Sequence, residues 1–534
     1  MKTKFKIPNT FTIVFAIIAF CAALTWILNS GQFERETVVV DGHERNVVVP
    51  NSYHKVEQSP QTWQIFTSFF KGFERTSSII VFILMIGGAF WIINETNAIN
   101  RGIGFFLSDM QRFHHNKVLS KIGVNNILII AIMLMFSLFG SVFGMSEETI
   151  AFIVIFVPLA VSMGYDSITG VLICYAAAHV GFAGAMLNPF TIGIAQGLAG
   201  LPTFSGIGYR FLCWCVLTIV AIVFTLVYAN YVKKNPEKSL TFEIDKFWRE
   251  KTSEANISQP LTKSGKKAWI IYIAISLVLI FLAIKMPQTD ISVGLGNKRI
   301  VVFPILASIF VFLGFFATRK SLHHLILVIL LFTILILVTG VLGYGWYVME
   351  IAGLFFTMGI LSGFAFGMDF DTIFKEFISG CKDILSAALI VGLAGGIIVV
   401  LEDGKIIDTI LFAIANAMDG AGRIGSSATM YAMQNLLNLI IPSGSAKAAL
   451  TIPMMTEWSD LMQIPRQLTV LAFQFGDGFT NMITPTSGVL IGVLGVAKIP
   501  YSIWFKFVWK FILVLVVLGF ILLLPPLFYG FAGF

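Results

Sequence analysis

Long apolar stretches separated by short polar ones run along almost the whole chain. Several of them reach the roughly 20 residues that an α-helix needs to span the hydrocarbon of a bilayer. The first apolar run, Phe11 to Leu28, follows the basic start MKTKFK and shows no small-residue cleavage site. It indicates a retained first span, residues 1–30, with a cytoplasmic N-terminus. The pattern predicts an all-α polytopic membrane protein.

Two polar stretches between the apolar runs set the expected orientation. Residues 31–62 follow the first span and are predicted to form an extracytoplasmic loop. Within them, two β-branched runs around Asp41-Gly42 predict a small β-hairpin. Residues 233–267 hold eight Lys and one Arg, which places them in the cytoplasm by the positive-inside rule.

Two other stretches interrupt apolar sequence with Gly- and Ser-rich polar residues. In each, an apolar run resumes up to a proline, and a second polar break with another proline follows: 31 residues separate Pro158 from Pro189, and 32 separate Pro453 from Pro485. Such sequence is tolerated at membrane depth only where it is buried in protein or lines a cavity. We therefore predict two re-entrant hairpins, each followed by a broken helix. The hairpins are expected at 125–161 and 424–460, and the broken helices at 167–198 and 466–498.

The order of crossings relates the two halves of the chain. Alternation gives about 11 crossings, with a first repeat (63–206) that starts outside and a second (370–500) that starts inside. The halves are therefore predicted to be inverted repeats, which are typical of secondary transporters with a midplane site. Linking spans at 207–369 and a C-terminal span at 501–534 complete the chain.

Composition supports this class and excludes others. Hydrophobic residues make up 57% of the chain and charged residues 12%, about half the charge of a soluble domain. The net charge of +7 does not indicate nucleic-acid binding, because the basic residues follow the topology. The five cysteines form no metal-ligand pattern. With no nucleotide loop or nucleophile elbow either, we predict that the protein is not an enzyme and has no cofactor beyond a Na⁺ or H⁺ coupling ion.

Neutral oxygens near the breaks are the first candidate ligands. Helix N-termini attract anions, and unwound carbonyls coordinate Na⁺. Hydroxyl and amide oxygens beside them also suit hard cations. Asn188 and Thr484 occupy equivalent positions in the two halves, and we expect any Na⁺ near them. The full neutral set is Ser141, Ser146, Thr149, Asn188, Thr191, Ser443, Gly444, Ser445, Thr480, Asn481, Thr484, Thr486 and Ser487.

Five ionisable side chains in the same stretches are further candidates. The first hairpin tip has Glu147 and Glu148, Lys447 follows the second tip, and the broken helices carry His179 and Asp477. Ionisable groups at membrane depth are functional candidates by default. Four roles stay open: binding a cationic substrate, holding Na⁺, relaying protons, and structural pairing such as Glu148 with Lys447. His179 also fits a packing role.

The motifs GMSEET, LNPFTIGIAQ, GSAKAALTIPMM and TPTSGVLIG resemble the YfcC-like branch of the DcuC family of anaerobic C4-dicarboxylate carriers, in the ion transporter superfamily. The resemblance implies scaffold and transport domains, elevator-like alternating access, homodimers and a bacterial inner membrane. Other superfamily members use Ser-Asn-Thr tips for Na⁺ and carboxylate. Here the tips are Ser-Glu-Glu-Thr and Pro-Ser-Gly-Ser, and two carboxylates repel a dianion unless Lys447 or bound cations compensate.

The same branch includes carriers described for basic amino acids, among them arginine/ornithine exchangers. We therefore predict a carrier of arginine, ornithine or lysine. Glu147 or Glu148 would pair with the substrate's side-chain charge, and Ser443 to Ser445 would take its α-carboxylate. Two alternatives stay open: a Na⁺- or H⁺-coupled carrier of a C4-dicarboxylate or other organic anion, and a passive channel.

Overall fold

Helices dominate the computed structural model, which describes residues 10–40, 43–99, 101–105, 123–202, 204–253, 262–293, 296–416, 422–531 and 533–534. Within these ranges ten helices are long and apolar enough to cross a membrane, which confirms the polytopic helical class. Val124–Phe143, with 20 residues, is one of the ten.

The helices are numbered in chain order. They are α1 (Thr10–Ile27), α2 (Gln64–Arg75), α3 (Ser77–Glu95), α4 (Val124–Phe143), α5 (Thr149–Ser162), α6 (Ser167–Ala183), α7 (Pro189–Gly193 with Ile194–Leu198), α8 (Ile207–Lys234), α9 (Lys246–Ser253), α10 (Lys266–Lys285), α11 (Phe303–Lys320), α12 (Leu322–Tyr344), α13 (Val348–Phe366), α14 (Phe370–Asp403), α15 (Ile407–Asn416), α16 (Gly422–Asn438), α17 (Gly444–Leu461), α18 (Arg466–Asn481), α19 (Gly488–Ala497), α20 (Tyr501–Leu523) and α21 (Pro525–Phe528), with a 3₁₀ turn at Pro236–Lys238.

Three small antiparallel strand pairs lie between the helices. In the 31–62 loop, β1 (Gly31–Gln32) pairs with β4 (His54–Lys55), and β2 (Arg35–Val40) pairs with β3 (His43–Val48) up to Val40 opposite His43. The turn at Asp41-Gly42 lies outside the described residues. The third pair, β5 (Thr289–Val293) with β6 (Gly296–Ile300), was missed in the sequence, although Gly294 and Gly296 signal a hairpin there.

Four interruptions lie in the helices that follow the predicted pattern. Tip 1 (residues 144–148) separates α4 from α5, and tip 2 (439–443) separates α16 from α17. Break 1 (184–188) separates α6 from α7, and break 2 (482–487) separates α18 from α19. Each is bounded by helix-ending residues. For example, Gly144 adopts a left-handed φ of 71° that ends α4, and a Cβ there would lie 2.5 Å from Asn188 Oδ1. A glycine at this point therefore lets tip 1 rest against break 1.

Glycine contacts also join α2 to α14. A Cβ on Gly72 would overlap the Gly392 carbonyl oxygen and the Gly396 amide nitrogen. The helices α2 and α3 both pack on α14, and these three are called the frame below. On the other side, α6 packs on α4 and α18 packs on α16, so each broken helix is held by the hairpin before it. The frame and the interrupted helices enclose the candidate site.

Candidate functional site

A cavity of about 500 Å³ lies where both tips and both broken helices face the frame. This volume falls in the range of small-molecule sites, roughly 300–1,000 Å³. The predicted site residues that line it are Ser146, Glu147, Thr191, Ser443, Gly444, Ser445, Asp477, Asn481, Thr486 and Ser487. The structure therefore brings together residues that are up to about 340 positions apart in the chain.

The two acidic residues of tip 1 have different environments. Glu147 is half-buried and lines the cavity, where its Oε1 accepts a hydrogen bond from Tyr347 Oη at 3.2 Å. Glu148 is buried and turns back on its own tip, where its Oε2 accepts from the Ser146 amide at 3.1 Å. Among the described residues, neither carboxylate forms an ion pair within 4 Å. Glu147 is therefore the tip carboxylate that is accessible to a bound molecule.

His179 lies behind tip 1 and does not line the cavity. Its Nε2 is 3.3 Å from Ser146 Oγ, and its Nδ1 is 3.2 Å from the Tyr175 carbonyl oxygen. Its ring also lies 4.1 Å, centroid to centroid, from that of Tyr175. Both nitrogens are engaged, and the histidine positions the Ser146 side chain.

Tip 2 leads directly into the N-terminus of α17. The Ser443 side chain accepts no capping hydrogen bond from the first turn of this 18-residue helix. A Cβ on Gly444 would lie 2.9 Å from Thr191 Cγ2 and 3.1 Å from Asp477 Oδ2, so this helix end meets both α7 and α18. Helix N-termini carry partial positive charge and uncompensated N–H groups. This wall of the cavity therefore suits an anionic group.

A buried ion pair lies behind tip 2. Lys447 Nζ is 2.8 Å from Asp477 Oδ1, and both side chains are fully buried. Asn438 Oδ1 accepts a second hydrogen bond from the same ammonium at 2.9 Å, and Asn481 Nδ2 donates to Asp477 Oδ2 at 3.3 Å. The suggested pairing of Lys447 with Glu148 is therefore not the one that this structure contains. Asp477 lies closer to Lys447 because α17 starts against α18.

Two threonines of break 2 form hydrogen bonds to tip 2. Thr484 Oγ1 and Thr486 Oγ1 donate to the Leu439 carbonyl oxygen, at 3.1 and 2.9 Å, and lie 2.7 Å from each other. Ser487 Oγ accepts from the Leu490 amide and so caps α19. These bonds fasten break 2 to tip 2, since Leu439 is the first residue of that tip.

Break 1 leaves buried polar atoms without a partner. Asn188 Oδ1 accepts from the Phe190 amide at 2.9 Å. Within the described residues, Asn188 Nδ2 and Thr191 Oγ1 have no hydrogen-bond partner, and neither does Asn481 Oδ1 across the site. Buried polar atoms without partners are costly and point to a bound molecule or water. Thr191 and Asn481 both line the cavity.

Some predicted residues form a layer behind the cavity. Besides His179 they are Glu148, Thr149, Asn188, Lys447 and Thr484, as well as Ser141 and Thr480. Ser141 shows what this layer does: its Oγ donates to the Gly184 carbonyl oxygen and accepts from the Met186 amide, each at 3.1 Å. It therefore stabilises break 1 and is not exposed to a ligand.

Several cavity-lining residues were missed by sequence reasoning. Arg75 ends α2, lines the cavity and is paired with Glu402, while Tyr347 precedes α13. Thr76, Phe182 and Phe190 also face the space. One signal was available for Arg75, since it is a cation on an amphipathic helix beside an apolar span. Among the described residues, no group of three or more His, Cys, Asp or Glu side chains is placed to hold a metal ion.

One family model and two related proteins match nearly the whole length of this chain. A family model described as C4-dicarboxylate anaerobic carrier (DcuC) matches residues 7–526. YfcC of Escherichia coli (strain K12), provisionally called a basic amino acid antiporter, is 33% identical in an alignment of 539 residues, gaps included. The alignment covers 94% of this chain and 93% of YfcC. An uncharacterized protein of Haemophilus influenzae Rd is 26% identical over 564 residues, 98% of this chain and 97% of its own.

One solved structure is only remotely similar to this chain. The YdaH transporter of Alcanivorax borkumensis, a crystal structure with an unusual topology, superposes with a TM-score of 0.39 at 14% identity. The superposition covers 98% of this chain and 100% of the other. A likeness at this level does not establish a shared fold.

Proposed function

The chain belongs to the C4-dicarboxylate anaerobic carrier family, and from this premise we propose that it is a secondary transporter that exchanges basic amino acids across a bacterial inner membrane. Arginine, ornithine and lysine are the proposed substrates. The observation that supports this best is Glu147, a cavity-lining carboxylate with no ion-pair partner among the described residues. Such a group at the wall of a site attracts a cationic side chain.

The opposite character of tip 2 supports a zwitterionic substrate. The N-termini of α17 at Gly444 and of α19 at Gly488 both line the cavity, and so does Arg75, whose guanidinium is paired with Glu402. Half-helix N-termini in transporters bind anionic substrate groups. We propose that they take the α-carboxylate, while Glu147 takes the side-chain cation. A basic amino acid satisfies both ends at once.

The packing supports a proposed elevator cycle. Hairpins and broken helices pack on one another, and α2 and α3 pack mainly on α14; the two groups meet chiefly where α19 contacts α14. We propose that the two halves are inverted repeats, that the hairpins and broken helices form the moving transport domain, and that the frame belongs to the scaffold. Homodimers and a cytoplasmic N-terminus complete the proposal.

A second candidate substrate is a C4-dicarboxylate or a related organic anion. It is favoured by the two helix N-termini and Arg75, which would hold two carboxylates between them. In that case Glu147 would face an anion, and its charge would have to be offset by a proton or a bound cation. The first candidate therefore requires a negatively charged Glu147, whereas the second requires that this charge be neutralised.

Counterflow in proteoliposomes separates these candidates. Liposomes with the purified protein are loaded with unlabelled arginine and offered labelled arginine, ornithine, lysine or succinate. We expect saturable, trans-stimulated arginine uptake that Glu147→Gln reduces at least tenfold, while the matched change Glu237→Gln, at an exposed site, has no effect. Succinate uptake without arginine uptake would overturn the basic-substrate proposal. Uptake without saturation or trans-stimulation would indicate a channel.

A further inference from the structure

A coupling Na⁺ at helix breaks of this kind needs several free oxygens at once. Unwound carbonyls and nearby carboxylate, amide or hydroxyl oxygens supply them. The sequence led us to expect such an ion near Asn188 and Thr484. Whether the oxygens of this chain are free to bind it can be tested from their hydrogen bonds.

At break 1, a permanent cation already occupies the carbonyls. Arg210 on α8 is buried, and its Nε donates to the Ala185 carbonyl oxygen at 3.1 Å, while its Nη2 donates to that of Met186 at 3.2 Å. The Gly184 carbonyl accepts from Ser141 Oγ at 3.1 Å. Asn188 turns its oxygen to a backbone amide and leaves its NH₂ group, a donor, without a partner. This set of groups does not suit a cation.

At break 2, aromatic donors occupy the carbonyls. Tyr175 Oη donates to the Asn481 carbonyl oxygen at 3.0 Å. Trp504 Nε1 donates to that of Met482 at 2.8 Å, and Tyr501 Oη to that of Ile483 at 2.7 Å. The Thr484 hydroxyl is itself bonded to tip 2. The carbonyl oxygen of Thr484 accepts from the Ser487 amide, so three successive carbonyls of break 2, those of residues 482–484, already have donors.

Beside break 2, the strongest candidate ligand for a cation is the Asp477 carboxylate on α18, and Lys447 neutralises it. The ammonium lies 2.8 Å from Asp477 Oδ1 and 2.9 Å from Asn438 Oδ1, and 5.1 Å from the centroid of the Phe473 ring. A carboxylate oxygen and an amide oxygen are ligands that a Na⁺ ion would use. A buried charge must be paired. The partner of the Asp477 carboxylate is the Lys447 ammonium, which is part of the chain itself.

We infer that Lys447 is a tethered cation that takes the place of a coupling Na⁺ at Asp477. The positive charge moves with hairpin 2, the unit of α16 and α17, and cannot be released to either side. Transport then requires no Na⁺ gradient, and the first expectation of Na⁺ near Thr484 is replaced by a Na⁺-independent carrier. Ion coupling has meaning only for a transporter, so this role rests on the proposed function, whereas Na⁺ binding can be measured without any substrate.

A purely structural ion pair makes a different prediction from a tethered cation. If Lys447 only stabilises the fold, Lys447→Ala lowers stability equally in every salt. If Lys447 replaces an ion, its removal frees two oxygens beside a small space, and Na⁺ can enter. The double variant Lys447→Ala with Asp477→Asn removes the carboxylate as well and serves as the matched control. Lys447→Arg keeps a tethered charge.

The test is thermal unfolding of the purified full-length protein in equal concentrations of NaCl, KCl and choline chloride. We expect no Na⁺-specific shift in Tm for the natural chain or Lys447→Arg. For Lys447→Ala we expect a Na⁺-specific rise in Tm of about 2 °C or more, as for a ligand that binds only the folded state. The double variant should lose that rise.

Two results would overturn the inference. One is Na⁺-specific stabilisation of the natural chain, which decides the matter even if the alanine variant does not fold. The other is a folded Lys447→Ala protein with no preference for Na⁺ over K⁺ and choline. Proteoliposome uptake in Na⁺ and in choline media then tests transport separately: equal rates support the inference, and uptake that requires Na⁺ contradicts it. A failure of arginine uptake in both media would contradict the substrate proposal. It would not affect the conclusion about Na⁺ binding, which depends on the Tm measurements alone.

Discussion

Tyr347 Oη donates a hydrogen bond to Glu147 Oε1 over 3.2 Å, and this bond connects the start of α13 to tip 1. Phe190, at the start of α7, packs beside it with its ring centroid 5.8 Å from that of Tyr347. The tyrosine therefore contacts tip 1 and the start of α7, which follows break 1. If tip 1 moves relative to α13 during transport, this bond has to break in each cycle.

We predict that Tyr347 and Glu147 are energetically coupled. Tyr347→Phe removes one donor, and because the tyrosine is 50% exposed, the bond is expected to contribute about 1 kcal/mol, or roughly a fivefold change in rate. In a Glu147→Gln background the same change should have little further effect. Initial rates of arginine exchange for both single variants and the double variant give the coupling. Strictly additive effects would show that the bond has no role in transport.

The close packing of α2 on α14 leads to a second prediction. A Cβ on Gly72 would overlap backbone atoms of α14, so Gly72→Ala must separate the helices and is expected to cost about 1–3 kcal/mol. On α13, a Cβ at Gly353 would meet no heavy atom within 4 Å. Gly353→Ala should therefore be neutral or stabilise the helix by up to about 1 kcal/mol. Thermal unfolding of the two purified variants checks this, and equal losses in Tm would contradict it.

The membrane class could be predicted from the sequence because it depends on local properties. The length of apolar runs identifies helices that can span a membrane, and Gly, Ser and Pro mark where helices stop. Arg75 was missed because a cation on an amphipathic helix is equally typical of an exposed residue at the membrane surface. It reaches the cavity only because Gly72 lets α2 approach α14, a contact between residues about 320 positions apart.

The partner of Lys447 was also beyond sequence reasoning. Glu147, Glu148 and Asp477 are the three acidic candidates that the sequence singles out, and spacing alone does not rank them as partners. The direction in which α17 leaves tip 2 decides the matter, since Gly444 rests against Asp477. Pairings across tertiary contacts of this kind are not encoded in the periodicity of either helix.

The 31–62 loop is anchored at one buried carboxylate, which gives a third prediction. Asp408 is 4% exposed and accepts from the Phe33 amide and from Arg35 Nη2, both at 3.0 Å. Asp408→Ala leaves these donors without their acceptor, at a cost of about 1–3 kcal/mol. We expect amide hydrogen exchange in β1 and β2 to become about tenfold faster. The control is Asp290→Ala, which removes an exposed pair with Arg299 and should change exchange little. Similar effects in both variants would contradict the anchoring role.

Asp245 holds the segment between α8 and α9 against the start of α6. Its Oδ2 accepts from the Ser167 amide at 3.1 Å and from Thr241 Oγ1 at 2.9 Å. Burial raises the pKa of Asp245 to about 6, and the nearby Asp166 carboxylate, itself bonded by Tyr228 and Ser239, adds to the rise. The folded form therefore binds a proton more tightly than the unfolded form.

The direction of the pH dependence follows from this raised pKa. For an acid whose folded pKa lies above its unfolded value of 3.8, the stabilisation is complete below that value and is lost as the pH rises through about 6. About two pKa units correspond to at most roughly 3 kcal/mol. We expect amide exchange of residues 239–253, relative to intrinsic rates, to be slower at pH 5 than at pH 7. Asp245→Asn, which is neutral at every pH, should abolish this difference and keep the slow exchange, whereas the exposed control Glu237→Gln should retain the difference. A pH dependence that persists in Asp245→Asn would assign it to another group.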